Sequence, residues 1–477
     1  MQFFPSFSNL FLVGKNPRAR RYRHAQPARY RKHVDPRTLP PSTLGQAPAA
    51  GARPGLVLVF AGQSAVARAF ALEDNALELG RGTEGDGKLD DGRISRRHTR
   101  VTYEGGRFFA TDLASQNGTF VDGQQLAANV ATPLHRALKL GDSLLVPCDD
   151  IGPFLRLGVQ IVDGFVRGPA MQLLLDEIAR AAQLGSVLHV RGETGTGKEG
   201  AAAAFHRKGP RAGGPLVAVN CAAIPQPIAE RLLFGAKRGT YSGADQDASG
   251  YLVDADGGTL FLDEIAELDA QVQAKLLRVL ESREVVALGT SKPRPITLGF
   301  CSATNKDLRA LVASGALRED LFFRIATPAV TLPPLRNRPE EIAALVVAEL
   351  ARLGLTAHVS LVEECLFRPW PGNVRELLAE LRAAAQTAHP EVRVLGRHLA
   401  ATAGNMFSAT AIPPEPPSEH VRKRMPQTVD DEWRARIEDA LRASDGKVAT
   451  AARSLGLHRT QLRRLIKRHG IEIEDDS

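Results

Sequence analysis

The feature of this 477-residue chain that most limits its fold is the run GETGTGK at residues 192–198, a GxxxxGK motif. The motif follows an apolar run at residues 187–190 that is typical of a strand, and it precedes an alanine-rich helical stretch at residues 199–206. In this order, glycines let backbone N–H groups wrap a phosphate, the lysine supplies positive charge, and the helix N-terminus favours the anion. The motif therefore predicts nucleotide binding. The residues that we assign to the nucleotide are Gly192, Glu193, Thr194, Gly195, Thr196, Gly197, Lys198 and Glu199.

Strands and helices alternate around this motif, with further apolar runs at residues 216–219, 259–262 and 297–301. This alternation predicts an α/β core with a parallel sheet. Two carboxylates, Asp263 and Glu264, come directly after the second of those runs. Asp263 can hold a magnesium ion and Glu264 can orient and deprotonate a water, although an acidic helix cap is the alternative. The residue after the motif lysine is an acid rather than Ser or Thr, so magnesium coordination must draw more on other groups.

The regions on either side of the α/β core have different patterns. Short apolar runs, broken every ten or so residues by Gly, Asp and Asn, predict an all-β sandwich before the core. A helical stretch follows the core, then a segment with four prolines and no periodicity, and finally three short helical patterns that predict a helix-turn-helix. The predicted regions are a basic tail at 1–54, a sandwich at 55–150, an α/β domain at 163–405 with a helical lid from about 339, a linker at 406–428 and a helix-turn-helix domain at 429–477.

The formal net charge of +8 comes from one end of the chain. Residues 1–50 hold nine of the 61 basic residues and one of the 53 acidic ones, so the remainder is neutral. This tail is typical of a disordered segment, although a transit peptide or a start codon placed too far upstream gives the same pattern. Any DNA contact must therefore come from a local basic patch. The four cysteines form no CxxC pair and no apolar run reaches the roughly 18 residues of a membrane helix, which predicts a reduced, cytoplasmic protein without membrane contact.

The core motifs, in this order, resemble those of the AAA+ ATPase domain of bacterial enhancer-binding proteins, which activate the sigma-54 form of RNA polymerase. The resemblance implies that Asn220, in VNCAA, is a switch residue that contacts Glu264, and that Asn305, in ATN, reads the γ-phosphate. It implies that the two arginines of LREDLFFR act on a neighbouring subunit's nucleotide, and that Arg375, in WPGNVREL, contacts the nucleotide from the lid. Such a protein binds ATP and magnesium, the latter at Asp263, and works as a ring.

The two arginines of LREDLFFR are Arg318 and Arg324. Their spacing does not place both side chains on the same face of a straight helix. Charge that builds on a transferred phosphoryl group needs a cation, and an arginine from a neighbour makes hydrolysis depend on assembly. Residues six apart lie about 120° from each other on one straight helix. Both arginines therefore face one phosphate only if the segment bends, and otherwise one of them is a structural ion-pair partner. Arg336 and Arg338 also match the family pattern, either at a lid hinge or in ligand contact.

The family has an insertion that touches the sigma factor and usually reads Gly-Ala-Phe-Thr-Gly-Ala. The corresponding loop here reads GTYSGA, which keeps both glycines and the last alanine, replaces one aromatic ring by another, and retains a hydroxyl group. We expect this loop to contact sigma-54. The alternative is an exposed loop on an ATPase that remodels something else. The loop residues are Gly239, Thr240, Tyr241, Ser242, Gly243 and Ala244.

The N-terminal sandwich resembles the forkhead-associated (FHA) domain, which binds phosphothreonine peptides through loops at one end. The matching stretches are GR, ISRRH and DLASQNGTF. The resemblance implies that Arg81 and Ser95 take the phosphate with help from Arg96, and that Asn117 bonds the peptide backbone. Pairing of arginine with phosphate is the expected chemistry. We interpret His98 as a buried residue that braces the loops. The alternative use of the sandwich is self-association.

The C-terminal segment resembles the Fis-type DNA-binding domain. Its third helical pattern is rich in Arg and Lys and contains no acid, so it supplies the local basic patch that DNA contact requires. A solvated helix face is the alternative. The residues that we assign to DNA are His458, Arg459, Thr460, Gln461, Arg463, Arg464 and Lys467.

These features predict a multidomain transcription activator with an all-β FHA sandwich, an α/β AAA+ P-loop ATPase with a helical lid, and an all-α helix-turn-helix. The expected protein binds upstream DNA as a dimer, assembles into a ring up to a hexamer, and uses ATP hydrolysis to open promoters with sigma-54 RNA polymerase. A phosphothreonine on a partner protein or on the chain itself would provide the input. The alternative is a DNA-bound, phosphopeptide-responsive regulator that binds ATP for assembly without remodelling sigma-54.

Overall fold

A computed structural model describes residues 51–85, 87–162, 164–240, 246–406, 437–444, 447–455, 457, 462, 465 and 466. These residues fall into two compact units, of which the first ends at Met406. The first unit contains the sandwich, the α/β core and the lid. Among the described residues, no helix is both long and apolar enough to cross a membrane.

The first region of the chain is an antiparallel β-sandwich, as predicted. Its strands are β1 (Gly55–Ala61), β2 (Ser64–Ala71), β3 (Ala76–Leu79), β4 (Thr99–Glu104), β5 (Arg107–Asp112), β6 (Thr119–Val121), β7 (Gln124–Gln125), β8 (Thr132–Leu134), β9 (Leu138–Leu140) and β10 (Ser143–Cys148). One sheet has the order β2-β1-β10-β9-β6-β7 and the other has the order β3-β4-β5-β8. Alternate side chains of both sheets, including Leu56, Leu79 and Val101, fill the core between them.

The middle region is a parallel α/β domain. After α1 (Gly152–Leu157) and the hairpin β11 (Gln160–Val162) and β12 (Phe165–Arg167), its central strands are β13 (Val187–Arg191), β14 (Leu216–Asn220), β15 (Thr259–Asp263), β18 (Gly299–Thr304) and β19 (Ala329–Thr331), with a side hairpin of β16 (Glu284–Val285) and β17 (Arg294–Pro295). Its helices are α2 (Pro169–Leu184), α3 (Lys198–Lys208), α4 (Gln226–Phe234), α5 (Tyr251–Asp254), α6 (Ala270–Ser282), α7 (Leu308–Ala313) and α8 (Glu319–Ile325). The sheet order is β14-β15-β18-β13-β19. The residues that follow β13, β15 and β18 therefore meet at one edge of the sheet.

The lid consists of α9 (Pro339–Arg352), α10 (Val359–Phe367) and α11 (Asn373–Ala388). Trp370 lies at its centre, fully buried, and donates its indole N–H to Cys365 O at 2.8 Å. The predicted helical lid also contains one short pair of strands, since β20 (Thr356–Ala357) and β21 (Arg393–Val394) pair in parallel across it. Strands of two residues are too short to give a periodic signal in the sequence.

The second unit is small and helical. Residues 437–442 form one helical segment and α12 (Val448–Ser454) forms another, with Lys447 as the residue before it. Ile437, Leu441 and Ala451 pack with Leu462 in a compact apolar core. This arrangement agrees with the first two predicted helices of the helix-turn-helix.

Candidate nucleotide site and its surroundings

The GxxxxGK loop joins β13 to α3, as its sequence predicts. Gly195 and Gly197 have φ values of +76° and +104°, which L side chains rarely adopt, so the loop needs glycine at both positions. Lys198 begins α3 and is 7% exposed. Its ammonium group donates to Gly192 O at 3.3 Å and to Glu264 Oε1 at 3.2 Å. The loop thus encloses the Lys198 ammonium group, which faces the carboxylates at the end of β15.

The two carboxylates after β15 lie at that edge. Glu264 has φ +51°, in the left-handed region, and this turn directs its side chain back towards the loop. Its Oε2 accepts hydrogen bonds from Thr304 Oγ1 at 3.2 Å and from the Asn305 N–H at 3.4 Å. Asp263 Oδ1 accepts the N–H of Glu264 at 3.1 Å. Burial raises the pKa of Asp263, the charge of Glu264 adds to the rise, and Lys198 opposes it.

The donor set at Asp263 fits a magnesium ion that shares its ligands with a nucleotide. Carboxylate oxygens are what magnesium prefers, and it is usually bound by one or two of them together with substrate phosphates. In the described part of the chain, no group of three or more His, Cys, Asp and Glu side chains could hold a metal ion. A cation beside Asp263 would also relieve the cost of burying that carboxylate.

The two predicted asparagines stand on neighbouring parts of the same edge. Asn220 ends β14 and pairs in register with Asp263 of β15. Its side-chain oxygen accepts the Ala222 N–H at 3.0 Å and caps a short 3-10 turn, whereas the resemblance placed it against Glu264. Asn305 directly follows β18 and is exposed, with its backbone N–H on Glu264. The structure therefore brings Asn305 to the acidic pair and gives Asn220 a local bond instead.

The lid and the short turn directly before it, Leu335–Asn337, touch the phosphate loop through contacts that the sequence did not assign. Arg336 makes two hydrogen bonds to the Glu193 carboxylate, at 2.6 and 2.8 Å. Asn373 is fully buried and donates to Glu193 Oε2 at 3.1 Å and to Thr194 O at 3.0 Å. The hydrogen bond from Arg336 is also the main cause of a lowered pKa at Glu193. Of the two roles open for Arg336, a place at the lid hinge is the one that these bonds support.

Arg375 lies where the lid approaches this loop. It is exposed in the first turn of α11, and the N–H of the preceding residue donates to Gly195 O at 3.2 Å. A Cβ on Gly195 would lie 2.1 Å from Gly372 O and 3.0 Å from the Arg375 Cβ. Glycine is therefore required at residue 195 for the close approach of the lid as well as for the turn. Arg338 is different, since it is 2% exposed and ion-paired to Glu341 at 2.8 Å within the lid.

The candidate phosphopeptide residues meet at one end of the sandwich. The backbone N–H of Arg81 donates to Ser95 O at 3.0 Å, which holds the first two loops together. Asn117 donates from Nδ2 to a carbonyl oxygen of the second loop at 2.6 Å. Arg81, Arg96 and Asn117 are exposed, and Ser95 is partly exposed. An open surface that carries two arginines is available to an anionic ligand.

His98 braces these loops, as the sequence predicted. The ring is fully buried, its Nδ1 accepts the Ser95 N–H at 2.9 Å, and its Nε2 lies 3.2 Å from Gly118 O. Burial lowers the pKa of His98. A neutral ring that accepts at Nδ1 donates at Nε2, so it links the two loops without adding charge.

Comparison with known proteins gives three family matches along the chain. The "Sigma-54 interaction domain" matches residues 165–331, the "FHA domain" matches residues 77–140, and "Bacterial regulatory protein, Fis family" matches residues 434–469. The anaerobic nitric oxide reductase transcription regulator NorR of Aeromonas salmonicida is 34% identical, over 76% of this chain and 75% of its own length. The chain belongs to the sigma-54-dependent transcription activators. It combines their AAA+ ATPase domain with an FHA domain and a Fis-type helix-turn-helix.

Other members of this family share a smaller part of their length. NorR1 of Cupriavidus necator is 40% identical over 65% of this chain, which spans 64% of that protein. The Nif-specific regulatory protein of Azotobacter vinelandii is 37% identical over 62% of this chain, which spans 56% of that protein. The chain thus covers less than two thirds of either relative. Among solved structures, NtrX from Brucella abortus in complex with ATP matches with a TM-score of 0.46 at 27% identity, over 63% of this chain and 68% of that one.

The segment that carries the two candidate trans arginines bends at Arg318. Arg318 is the extended residue before α8, and Arg324 lies in the last turn of that helix. The Arg318 guanidinium is 46% exposed and forms two hydrogen bonds to Asp320, at 2.7 and 3.1 Å. Arg324 donates from Nη2 to Leu280 O at 2.8 Å. The straight-helix geometry therefore does not apply, and both arginines are exposed.

Two of the activator's predicted sites lie largely outside the described residues. In the sigma-contacting loop, Gly239 has φ +81° and the Thr240 hydroxyl donates to Lys237 O at 2.5 Å. The remaining loop residues, 241–244, are outside the described part of the chain, and so are all seven candidate DNA residues of the helix-turn-helix, at 458–461, 463, 464 and 467.

Proposed function

We propose that this activator binds upstream DNA and uses ATP hydrolysis in an oligomeric ring to remodel sigma-54 RNA polymerase. The observation that carries the proposal is the grouping of Lys198, Asp263, Glu264 and Asn305 at one edge of the sheet, under a lid that contacts the phosphate loop. Membership of the sigma-54-dependent activator family also supports this proposal. The action of the ring takes place in the cytoplasm.

Hydrolysis in this site follows from what each side chain can do. Lys198 and the loop N–H groups hold the β- and γ-phosphates, and Asp263 holds magnesium, which would neutralise charge on the phosphate oxygens. Glu264 orients a water for in-line attack and accepts its proton. Asn305 senses the γ-phosphate from the end of β18, and Arg375 reaches the nucleotide from the lid. The role of Asn220 is to change its local cap for a bond to Glu264 as the nucleotide state changes.

Assembly completes the site. The Arg318 side chain is exposed and has only Asp320 as an ion-pair partner in the described residues. The neighbouring Phe323 is 72% exposed, which leaves a large aromatic side chain beside Arg318 open to a partner. A subunit interface here would cover Phe323 and place Arg318, with Arg324 behind it, against the neighbour's γ-phosphate. Hydrolysis then requires the ring.

The two outer domains bind DNA and a regulatory phosphopeptide. The helix-turn-helix, as a dimer, binds upstream DNA with the basic residues of its third helix. Arg81, Ser95, Arg96 and Asn117 bind a phosphothreonine of a partner protein or of the chain itself. This input regulates the ATPase.

Capture of sigma-54 in a transition-state complex tests the proposal. The full chain is mixed with sigma-54, ADP and aluminium fluoride, and complex formation is followed by gel filtration. We expect a stable complex, and we expect Tyr241→Ala to remove it while ATP turnover is retained. Thr290→Ala, outside the loop sequence, is the matched control.

Turnover without a complex would favour the second candidate, a regulator that uses ATP for assembly without remodelling sigma-54. That candidate is favoured by the departures from the family loop sequence at Tyr241 and Ser242. Restoring the family sequence with Thr240→Ala, Tyr241→Phe and Ser242→Thr separates the two functions. A strong gain of promoter opening in the restored protein would support the second candidate for the natural chain.

A further inference from the structure

The outer face of the FHA sandwich is buried against the lid of the same chain. In β1, Leu56 and Leu58 point into the sandwich core, whereas Val57 and Val59 belong to the apolar cluster of the lid. A register shift between Leu58 and Phe60 lets Phe60 join Val59 on the lid side. Residues 55–60 of the strand are therefore buried on both faces. We call this contact the sandwich–lid interface.

The lid contributes the other half of the interface. Ile342 and Val346 of α9, with Val362 of α10, are at most 1% exposed and belong to the same cluster. The strand next to β1 adds Leu144 and Val146 from β10. Burial of this kind on both sides excludes water and resists sliding of the two bodies, because apolar interiors are closely packed.

Two polar contacts fix the edge of the interface. The Lys139 ammonium of β9 lies 2.5 Å from the Glu363 carboxylate of α10, and their side chains are 20% and 10% exposed. Arg136 donates from Nη1 to Phe367 O, at the end of α10, at 2.5 Å. The Asp122 carboxylate accepts the backbone N–H of Arg136 at 2.8 Å and thereby holds its loop in place.

These contacts begin one short strand away from the candidate phosphopeptide loop. Asn117 is separated from β6 by Gly118, and Asp122 directly follows β6, so this strand of three residues, about 10 Å long, lies between the loop and the lid contacts. Within β6, Phe120 pairs in register with Lys139 and its ring lies 4.5 Å from the Lys139 ammonium. A movement of the loop would therefore reach both polar contacts through β6 and the residues that follow it.

The same lid carries Asn373, and the turn directly before the lid carries Arg336; both side chains bond to the phosphate loop. We propose that the FHA sandwich and the lid move as one body, so that phosphopeptide capture changes nucleotide affinity through Lys139 and Arg136. This proposal rests on the phosphopeptide binding proposed above. Linkage requires the effect to be reciprocal, because each ligand changes the affinity of the other by the same factor.

Calorimetry of ADP binding to the full chain tests the coupling. The probe is a degenerate phosphothreonine peptide mixture, with its unphosphorylated form as the control. We expect the phosphorylated mixture to change the ADP dissociation constant about fivefold or more in the natural chain. In the double variant Lys139→Met and Arg136→Met the change should fall below about twofold. An equal change in both proteins would overturn the proposal, as would no change in a natural chain that binds the peptide.

Two further variants separate coupling from loss of folding. Arg107→Met removes an exposed arginine from β5, in the sheet on the opposite side of the sandwich, and should leave the coupling intact. Glu363→Gln keeps an oxygen acceptor for Lys139 and should retain part of the coupling. Loss of coupling in Arg107→Met would mean that the double variant acts through general destabilisation, which overturns the route through the interface.

Hydrogen exchange decides the case in which no phosphopeptide binds. That result would remove the proposed phosphopeptide input, but coupling of nucleotide to the sandwich would still be measurable. ADP should alter exchange at residues 119–123 and 135–140 of the natural chain, and the double variant should lose this response. Unchanged exchange in the natural chain would overturn the proposal even if the peptide binds.

Discussion

Replacement of Lys139 by methionine should destabilise the sandwich–lid interface by an amount that depends on pH. Methionine keeps the length and the apolar stem of lysine but leaves Glu363 without its ion-pair partner. Removing one partner of a fully buried ion pair costs about 3–5 kcal/mol. Both side chains keep some exposure, so water offsets part of the loss, and we expect about 2 kcal/mol at neutral pH.

The pH dependence follows from the carboxyl group that remains. Burial raises the pKa of Glu363, and Lys139 opposes the rise. Without Lys139 the pKa lies further above its value in the unfolded chain. A raised pKa favours the folded state at low pH, and that advantage is lost as the pH rises through the folded pKa. The deficit of Lys139→Met should therefore be smaller at pH 5 than at pH 8.

Urea unfolding of the full chain measures this deficit. The chain has two tryptophans, and in a Trp433→Phe background the fluorescence reports Trp370, which is buried in the lid. Lys139→Met, Glu363→Gln and the double variant form a thermodynamic cycle. We expect a coupling of about 1 kcal/mol or more, and single costs that add within about 0.5 kcal/mol would refute the ion pair as a contributor.

Three further predictions concern the site and the interface. Glu264→Gln should bind ATP normally but release phosphate about a hundredfold or more slowly, and comparable turnover would rule Glu264 out as the base. Arg336→Ala should weaken ADP binding roughly two- to fivefold in calorimetry, because the partly exposed ion pair with Glu193 contributes about 0.5–1 kcal/mol. Unchanged affinity would mean that this ion pair does not contribute to nucleotide binding. Residues 51–150 alone should self-associate in gel filtration, since Phe60 and its neighbours become exposed, and a monomeric domain would contradict that.

The sequence was sufficient to predict the fold class and the phosphate loop. Glycine spacing, a following helix and a strand that ends in Asp263 and Glu264 are local features, and their meaning does not depend on distant parts of the chain. The position of β18 was less accurate, since the apolar run at 297–301 begins before the strand Gly299–Thr304. Strand ends are set by pairing with neighbouring strands, which the sequence does not display.

The contacts between distant parts of the chain could not be predicted in this way. Arg336 and Asn373 reach Glu193 because the lid folds back over the core, and no local pattern encodes that return. One feature of the sequence does indicate the sandwich–lid interface. Residues 55–60 read GLVLVF, and a strand with an exposed face would alternate apolar and polar residues instead. That run indicates burial on both faces but does not identify the covering element.

ATP turnover by mixed variants tests the central claim, that the site is completed by a neighbouring subunit. Glu264→Gln keeps Arg318 but cannot activate water, and Arg318→Ala has an intact acidic pair but supplies no cation. Each variant alone should be nearly inactive, whereas their mixture should recover turnover, and the natural chain should gain specific activity steeply with concentration. A mixture as inactive as its components, together with turnover of the natural chain that does not depend on concentration, would contradict the account.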